Sequence, residues 1–347
     1  MGLGRLAGAA LIVALGQTAQ ADPLRIATYS PDLSRDGPGL LLRDLTRTGK
    51  KADPQIAAVV QVIAETRPDI LLLTDFDWDY DGRALSAFAD LLAGAGLDYP
   101  HRFAARPNAG MATGLDLDGD GRLGGAADAQ GFGQFTGQGG MAILSRHPIG
   151  PVSDHSAFLW RDLPGQIMPE LPPATVEMLR LSSSAHWDAV VTVAGKPLHL
   201  LAMAATPPVF DGPEDMNGRR NHDELAFWLS HLPEAPFVLA GNLNIDPVDG
   251  DGRPQALARM MAYVTDPLPR SAGGAAARGG VNEGQKGDPA LDTGDWPDDK
   301  PPGNLRADYV LPQQGLKVLD AGVFWPEGGP LAKAALAASA HRLVWVD

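Results

Sequence analysis

Eight short runs of β-branched and aliphatic residues, spread from one end of the chain to the other, limit what it can fold into. They are Leu24 to Tyr29, Asp69 to Leu73, Met141 to Leu144, Ala189 to Val193, Leu198 to Met203, Phe237 to Ala240, Tyr309 to Leu311 and Leu343 to Val346. Each is the length of a strand and too short for a helix. Three amphipathic helices interrupt them. Asp53 caps and Pro54 opens the first, which aligns Ile56, Val59, Val60 and Ile63 on one face and stops at Pro68. Leu85, Phe88, Ala89 and Leu92 repeat that spacing. Asn221, followed three positions later by Glu224, reads as a capping box that starts the third helix, with Leu225, Trp228, Leu229 and Leu232 as its stripe. Many strands with few, scattered helices predict stacked sheets with helices outside.

Composition removes several chemistries. The 347 residues include no cysteine, so disulfide scaffolds, zinc-thiolate sites, iron-sulfur clusters and cysteine nucleophiles are excluded. With 28 Lys+Arg against 42 Asp+Glu the net charge is −14, which gives no general attraction for a polyphosphate backbone; non-specific nucleic-acid binding is not expected. An apolar fraction of 44% is enough for a large core. The 41 Gly and 30 Pro concentrate in long excursions, Arg106 to Gly140 and Pro267 to Gly303, whose length marks them as functional or mobile loops.

At the start of the chain, Arg5 is the only charge before an apolar stretch from Leu6 to Leu15 and an Ala19-Gln20-Ala21 cleavage pattern. Residues 1–21 therefore read as a secretory signal, too short to span a bilayer, and residues 22–347 as one exported domain. The expected location is periplasmic or secreted, without membrane attachment after cleavage. No internal repeat or composition break marks a second domain.

Seven segments in order carry a resemblance: Arg25 to Ser30, Pro68 to Asp75, Gly140 to Arg146, Thr206-Pro-Pro, Gly241-Asn-Leu-Asn244, Arg306 to Leu311 and Ser339-Ala-His-Arg342. Together they resemble the endonuclease/exonuclease/phosphatase superfamily, and most closely an exported bacterial branch with Thr206 to Gly212 and Arg219 to Glu224. The resemblance implies an α/β (α+β) fold, a four-layer sandwich of two mostly antiparallel β-sheets flanked by helices. It also implies metal-assisted phosphoester hydrolysis at the strand ends, with Mg²⁺ or Mn²⁺ as cofactor.

Against the superfamily pattern the set is degenerate. Ser30 replaces Asn, Asp75 replaces the metal-binding Glu, Gly139 a Tyr and Ala204 a His. Asn242 stands for the Asp of the Gly-Asp-x-Asn turn and Ala340 for that of Ser-Asp-His. Asn242 cannot accept a proton, and Ala340 leaves His341 without the neighbouring carboxylate that would set its tautomer. Asn244, Asp308 and His341 survive. The expectation is an exported phosphoesterase-like protein with lost or strongly impaired catalysis, retained to bind a phosphorylated or anionic small ligand. The alternative is an active phosphodiesterase or phosphatase with Asp75 and Asp308 for metal, Asn242 and Asn244 as donors and His341 as base.

Two further groups stand apart. Arg219, Arg220 and His222, at the expected helix start, would suit an anion. Asp116, Asp118 and Asp120 with Gly121 follow the first half of an EF-hand loop; Ala127 occupies position 12 and Asp128 could supply the missing oxygen. This gives the third reading, a calcium-binding surface module. Asp246, Asp249 and Asp251 form a looser acidic turn.

Overall fold

In a computed structural model, residues 23–347 are described; the expected signal segment lies outside them. The chain builds two sheets. The first runs in the order β10 (Ala321–Val323), β11 (Val344–Val346), β1 (Ile26–Tyr29), β2 (Ile70–Phe76), β4 (Gly140–Ser145) and β3 (His101–Phe103). The second is β5 (Ile149–Asp154), β6 (His186–Val193), β7 (Lys196–Ala204), β8 (Phe237–Asn242) and β9 (Asp308–Pro312). Each sheet is antiparallel except for one parallel pair, β1 with β2 and β7 with β8.

Three apolar layers hold the sandwich. The facing sides of the sheets meet through Ile70, Leu72, Ile143, Trp187, Leu200 and Val238. The outer face of the first sheet is covered by α1 (Leu40–Leu45), α2 (Pro54–Thr66), α3 (Arg83–Gly94) and α8 (Gly329–Ala338). Over the second lie α5 (Met216–Leu229) and α6 (Gln255–Met260), with α4 (Pro173–Met178) in the connection between β5 and β6 and a short α7 (Ala272–Ala276) in the loop after α6. Alternation explains the division: within β2, Leu71 and Leu73 face the helices while Ile70 and Leu72 face the opposite sheet.

All eight expected strands are present. The other three, β3, β5 and β10, lie at sheet edges, where Gly, Pro and charged residues break the apolar run. Asp53 caps α2 by accepting from the Gln55 and Ile56 amides, as its sequence predicts. The third expected helix is corrected. It begins at Met216 rather than at Asn221, so Asn221 and Glu224 are interior and buried, and Leu232 lies beyond its end. Their polar groups are used on the neighbouring strands instead of on the helix. Among the described residues no helix is long and apolar enough to cross a membrane.

Candidate active site

The carboxyl ends of the two parallel strand pairs lie at the same end of the sandwich, with β1 over β8 and β9. Across the second sheet Ala204, Asn242 and Asp308 stand in register on adjacent strands. Gly241 is required just before them, since a Cβ there would lie 1.8 Å from the Met203 carbonyl oxygen. In the first sheet, β1 ends at Tyr29, just before Ser30, and the chain turns so that the Leu33 amide donates to the Asp75 carbonyl at 3.0 Å. Asp32, Asp75 and Asn244 all have φ near +50°, a conformation Asp and Asn tolerate better than other side chains, and they collect at this one end.

Backbone ties draw these turns together. Ser339 Oγ donates to the Ser30 carbonyl at 2.7 Å and the Ala340 amide to Asp32 Oδ2 at 2.9 Å. The Asp295 amide donates to the Ala340 carbonyl at 2.8 Å. Behind the second sheet, Glu224 accepts from the Ser183 and Thr206 amides at 2.6 Å each, and Asn221 donates to the carbonyls of Thr206 and Leu243. The two interior polar residues of α5 thus fix the strand-end turns.

At the centre, His341 Nδ1–H donates to Asp308 Oδ2 at 2.7 Å. Thr293 Oγ1 donates to the same oxygen at 2.9 Å, and Asn242 Nδ2 to Asp308 Oδ1 at 3.0 Å. Asp308 is fully buried and both of its oxygens accept hydrogen bonds, an arrangement that orients His341. This corrects the sequence reading in one respect: His341 does have a carboxylate partner. Ala340 is no loss in that respect, because the partner comes from β9. Burial pulls the imidazole toward the neutral form, but Asp308, by charge and hydrogen bond, outweighs it, with Asp32 and Asp75 adding; its pKa is raised.

The other half of the site is acidic. Burial, with repulsion from Asp32 and Asp77, pushes the Asp75 carboxyl up to about 7, against the opposing effect of His341 and Arg35. Asp77 is held by the amides of Gly139 and Arg35 at 3.0 and 2.9 Å. Gly139, at φ +56°, abuts Asp75 so closely that a Cβ would lie 3.0 Å from Oδ1. The degenerate positions Ser30, Gly139, Ala204 and Ala340 thus adjoin the retained groups at this end of the fold. Asn244 donates to the Ala205 carbonyl at 2.8 Å.

Sequence reasoning missed Asp32, Thr293 and Trp296. Asp32 had a signal, an acid three residues past a strand end. Thr293 and Trp296 had none, since both lie in the Pro267 to Gly303 excursion, which folds back over His341; the Trp296 and His341 rings meet edge to face at 5.2 Å. Beside Thr293, Asp292 is buried with Oδ2 unpartnered. Burial, together with Asp246, Asp249 and Asp288, pushes it up to about 7.

The remaining candidates lie elsewhere. Arg220 is buried and bonds backbone carbonyls, among them those of Leu181 and Arg180 at 2.9 Å, so it is not available to an anion. Arg219 donates to the carbonyls of Glu214 and Ile167, and His222 pairs with Asp223 at 2.8 Å. Since α5 starts five residues before Arg220's neighbour Asn221, none of the three sits at the first amide of a helix. Asp116, Asp118 and Asp120 are exposed and each offers an oxygen within 4.8 Å of the others. Asp128 does not join them: buried, it accepts from the Leu117 and Gly125 amides at 2.7 and 3.0 Å. Asp246 and Asp249 brace turns, accepting from the amides of Arg306 and Gly287.

A family model described as Endonuclease/Exonuclease/phosphatase family matches residues 39–341. An endonuclease/exonuclease/phosphatase from Beutenbergia cavernae has a similar structure at TM-score 0.56 and 19% identity, covering 93% of this chain and 70% of its own. A family protein from Leptotrichia buccalis gives TM-score 0.53 and 14% identity over 94% and 99%. At these identities the likeness concerns the fold. No curated protein sequence matches the chain significantly.

Proposed function

Because the chain belongs to the Endonuclease/Exonuclease/phosphatase family, we propose that it is a divalent-metal-dependent phosphoester hydrolase with a variant centre. The observation that carries this reading is the His341 to Asp308 hydrogen bond of 2.7 Å, which supplies an oriented base despite Ala340. Asp308 has only acceptors to offer when ionised, so the imidazole proton stays on Nδ1 and Nε2 is left to take a proton from water. Thr293 and Asn242 hold Asp308 in place.

The carboxylates of Asp32 and Asp75 suit a hard cation, and their repulsion, expressed in the raised Asp75 carboxyl, is what a cation would relieve. These two would hold Mg²⁺ or Mn²⁺, which when bound polarises a phosphoryl oxygen. Asn244 keeps a second amide N–H beyond the one given to Ala205, a donor for developing charge.

The test is hydrolysis of bis(p-nitrophenyl) phosphate and p-nitrophenyl phosphate with Mn²⁺, Mg²⁺ or EDTA. Metal-dependent turnover should fall ~10²–10⁴-fold in His341→Ala. Equal background rates for both proteins would reject hydrolysis and leave the second reading, a fold whose catalysis has lapsed and which binds an anionic ligand. Ala204 and Asn242, where ionisable groups stand in the superfamily pattern, favour that reading. Export to the periplasm or beyond rests on residues 1–21; intact-mass measurement of protein from the extracytoplasmic fraction tests for cleavage after Ala21. Calcium binding rests on the clustered Asp116, Asp118 and Asp120 carboxylates.

A further inference from the structure

Three of the eight histidines surround a single ring on α5. The Phe227 centroid lies 5.3 Å from that of His155, 5.2 Å from His186 and 3.8 Å from His231, the last stacked nearly parallel. The His155 and His231 rings also meet each other at 5.7 Å. Phe227 is 1% exposed and His186 2%, so these rings belong to the packing of α5 on the second sheet. The proposed hydrolysis uses none of the three.

Hydrogen bonds tie two of the rings to the helix. His231 Nδ1–H donates to the Phe227 carbonyl and His186 Nε2–H to the Glu224 carbonyl, each at 2.8 Å. A carbonyl only accepts, so those nitrogens carry the proton and the neutral rings already satisfy both contacts. The charged groups around them offer little to a second proton. Asp154 of β5 and Asp188 of β6 act on His155, but Asp188 is already paired with His199 of β7 at 2.7 Å. His186 faces Arg220 of α5 as well as His155 and His231, and its Nδ1 has no partner among the described residues. The Glu224 carboxylate is taken up by the Ser183 and Thr206 amides.

We propose that the histidines around Phe227 form an acid-sensitive latch: in mild acid, protonation of His155 and His186 releases α5 from the second sheet, and with it the brace that Glu224 gives to the strand-end turns. The link is direct, because the residue whose carbonyl holds His186 is the one whose carboxylate holds Ser183 and Thr206. Burial pushes the His186 imidazole down to about 4, against its bond to the Glu224 carbonyl, and His155, His231 and Arg220 add repulsion. His155 is lowered by burial and by His231, against Asp188 and Asp154. Once released, His186 binds its proton near the ordinary 6.5, so stability that is complete above that value is lost as pH falls toward 4. Asp75, Glu224, Asp292 and His341 have raised values, so at those groups falling pH favours the folded form and cannot produce the opening.

The experiment is amide hydrogen exchange of the full chain, read by mass spectrometry at pH 7.5 and pH 5, with labelling times scaled to the intrinsic exchange rate at each pH. Protection is measured rather than hydrolysis, because protonation of His341 would silence a hydrolase over the same range. Protection of residues 183–193 and 216–231 should fall by ~10-fold or more at pH 5, since each titrating group changes the opening equilibrium ~10-fold per pH unit. Helix α2, which covers the other sheet, should keep its protection. His186→Gln retains a donor for the Glu224 carbonyl but does not titrate; it should be protected at pH 7.5 and lose most of the acid response. His155→Phe keeps a ring against Phe227 and should reduce the response. No acid response in the wild type, an equal loss in α2, or an unchanged response in the His155→Phe, His186→Gln double variant would overturn the latch. If His186→Gln is already unprotected at pH 7.5, His155→Phe decides alone, because it leaves the Glu224 bond intact: a smaller acid response supports the latch and an unchanged one overturns it.

Discussion

Asp308 and His341, 33 positions apart in sequence, form a 2.7 Å hydrogen bond in which the carboxylate is fully buried and its other oxygen is taken by Asn242. One pair thus connects the last strand of the second sheet to the segment entering the last strand of the first.

Replacing Asp308 by Asn should shift the pH profile. The raised His341 pKa means that the base is protonated, and idle, to a higher pH than an ordinary histidine of 6.5. In the wild type kcat/KM should therefore rise with pH through an inflection above that value. Asp308→Asn removes the charge that holds the imidazolium, so the inflection should move down, while the rate above it drops ~10²–10⁴-fold from loss of orientation. An unchanged inflection would separate His341 from the rate-determining proton transfer.

Restoring Asn242 to Asp should destabilise the apoprotein. Asn242 is 8% exposed and donates to Asp308 Oδ1, so the new carboxylate would meet a like charge in a buried setting. The cost should be ~1–3 kcal/mol at pH 8. The shared site raises a carboxyl pKa in the folded state, so the cost should shrink as pH falls toward 5. Urea denaturation in EDTA at the two pH values measures this; equal stability of variant and wild type at pH 8 would contradict the buried contact.

Asp292→Asn should stabilise the protein, and only toward neutral and alkaline pH. The folded-state carboxyl is pushed up to about 7 from an ordinary 3.8. At low pH both states are protonated and the site costs nothing. As pH rises the unfolded chain releases its proton first while the folded chain retains it, so stability is lost progressively until pH passes about 7. The amide never ionises, so the variant should gain on the order of 2–4 kcal/mol at pH 8 and nothing near pH 3.5. A gain independent of pH would mean that packing, not charge, is responsible.

Millimolar Ca²⁺ should raise the melting temperature if the exposed Asp116, Asp118 and Asp120 oxygens take one ion, since a ligand specific to the folded state stabilises it by mass action. Asp118→Ala should lose the shift. The same shift in both proteins would assign it to screening of an acidic surface and dismiss the loop as a site.

Local pattern determined eight of the strands, the capped helix α2 and the order of the superfamily segments, because alternation, helical spacing and cap chemistry act between near neighbours. It also located His341, Asp308, Asn242 and Asn244 at strand ends. It could not reveal that Asp308 serves His341: the adjacent position, Ala340, is empty of charge, and the partner arrives from another sheet. Nor could it reveal that Asn221 and Glu224, which spell a capping box, lie inside a helix and brace the turns at Thr206 and Leu243. Arg220 looked like an anion donor in sequence and is consumed by buried carbonyls. Thr293 and Trp296 lie in a stretch with no periodicity, so only its folding back over the strand ends gives them partners. Which polar groups are spent inside the protein and which are left for a ligand depends on long-range packing, because burial decides the cost of every unpaired donor and acceptor.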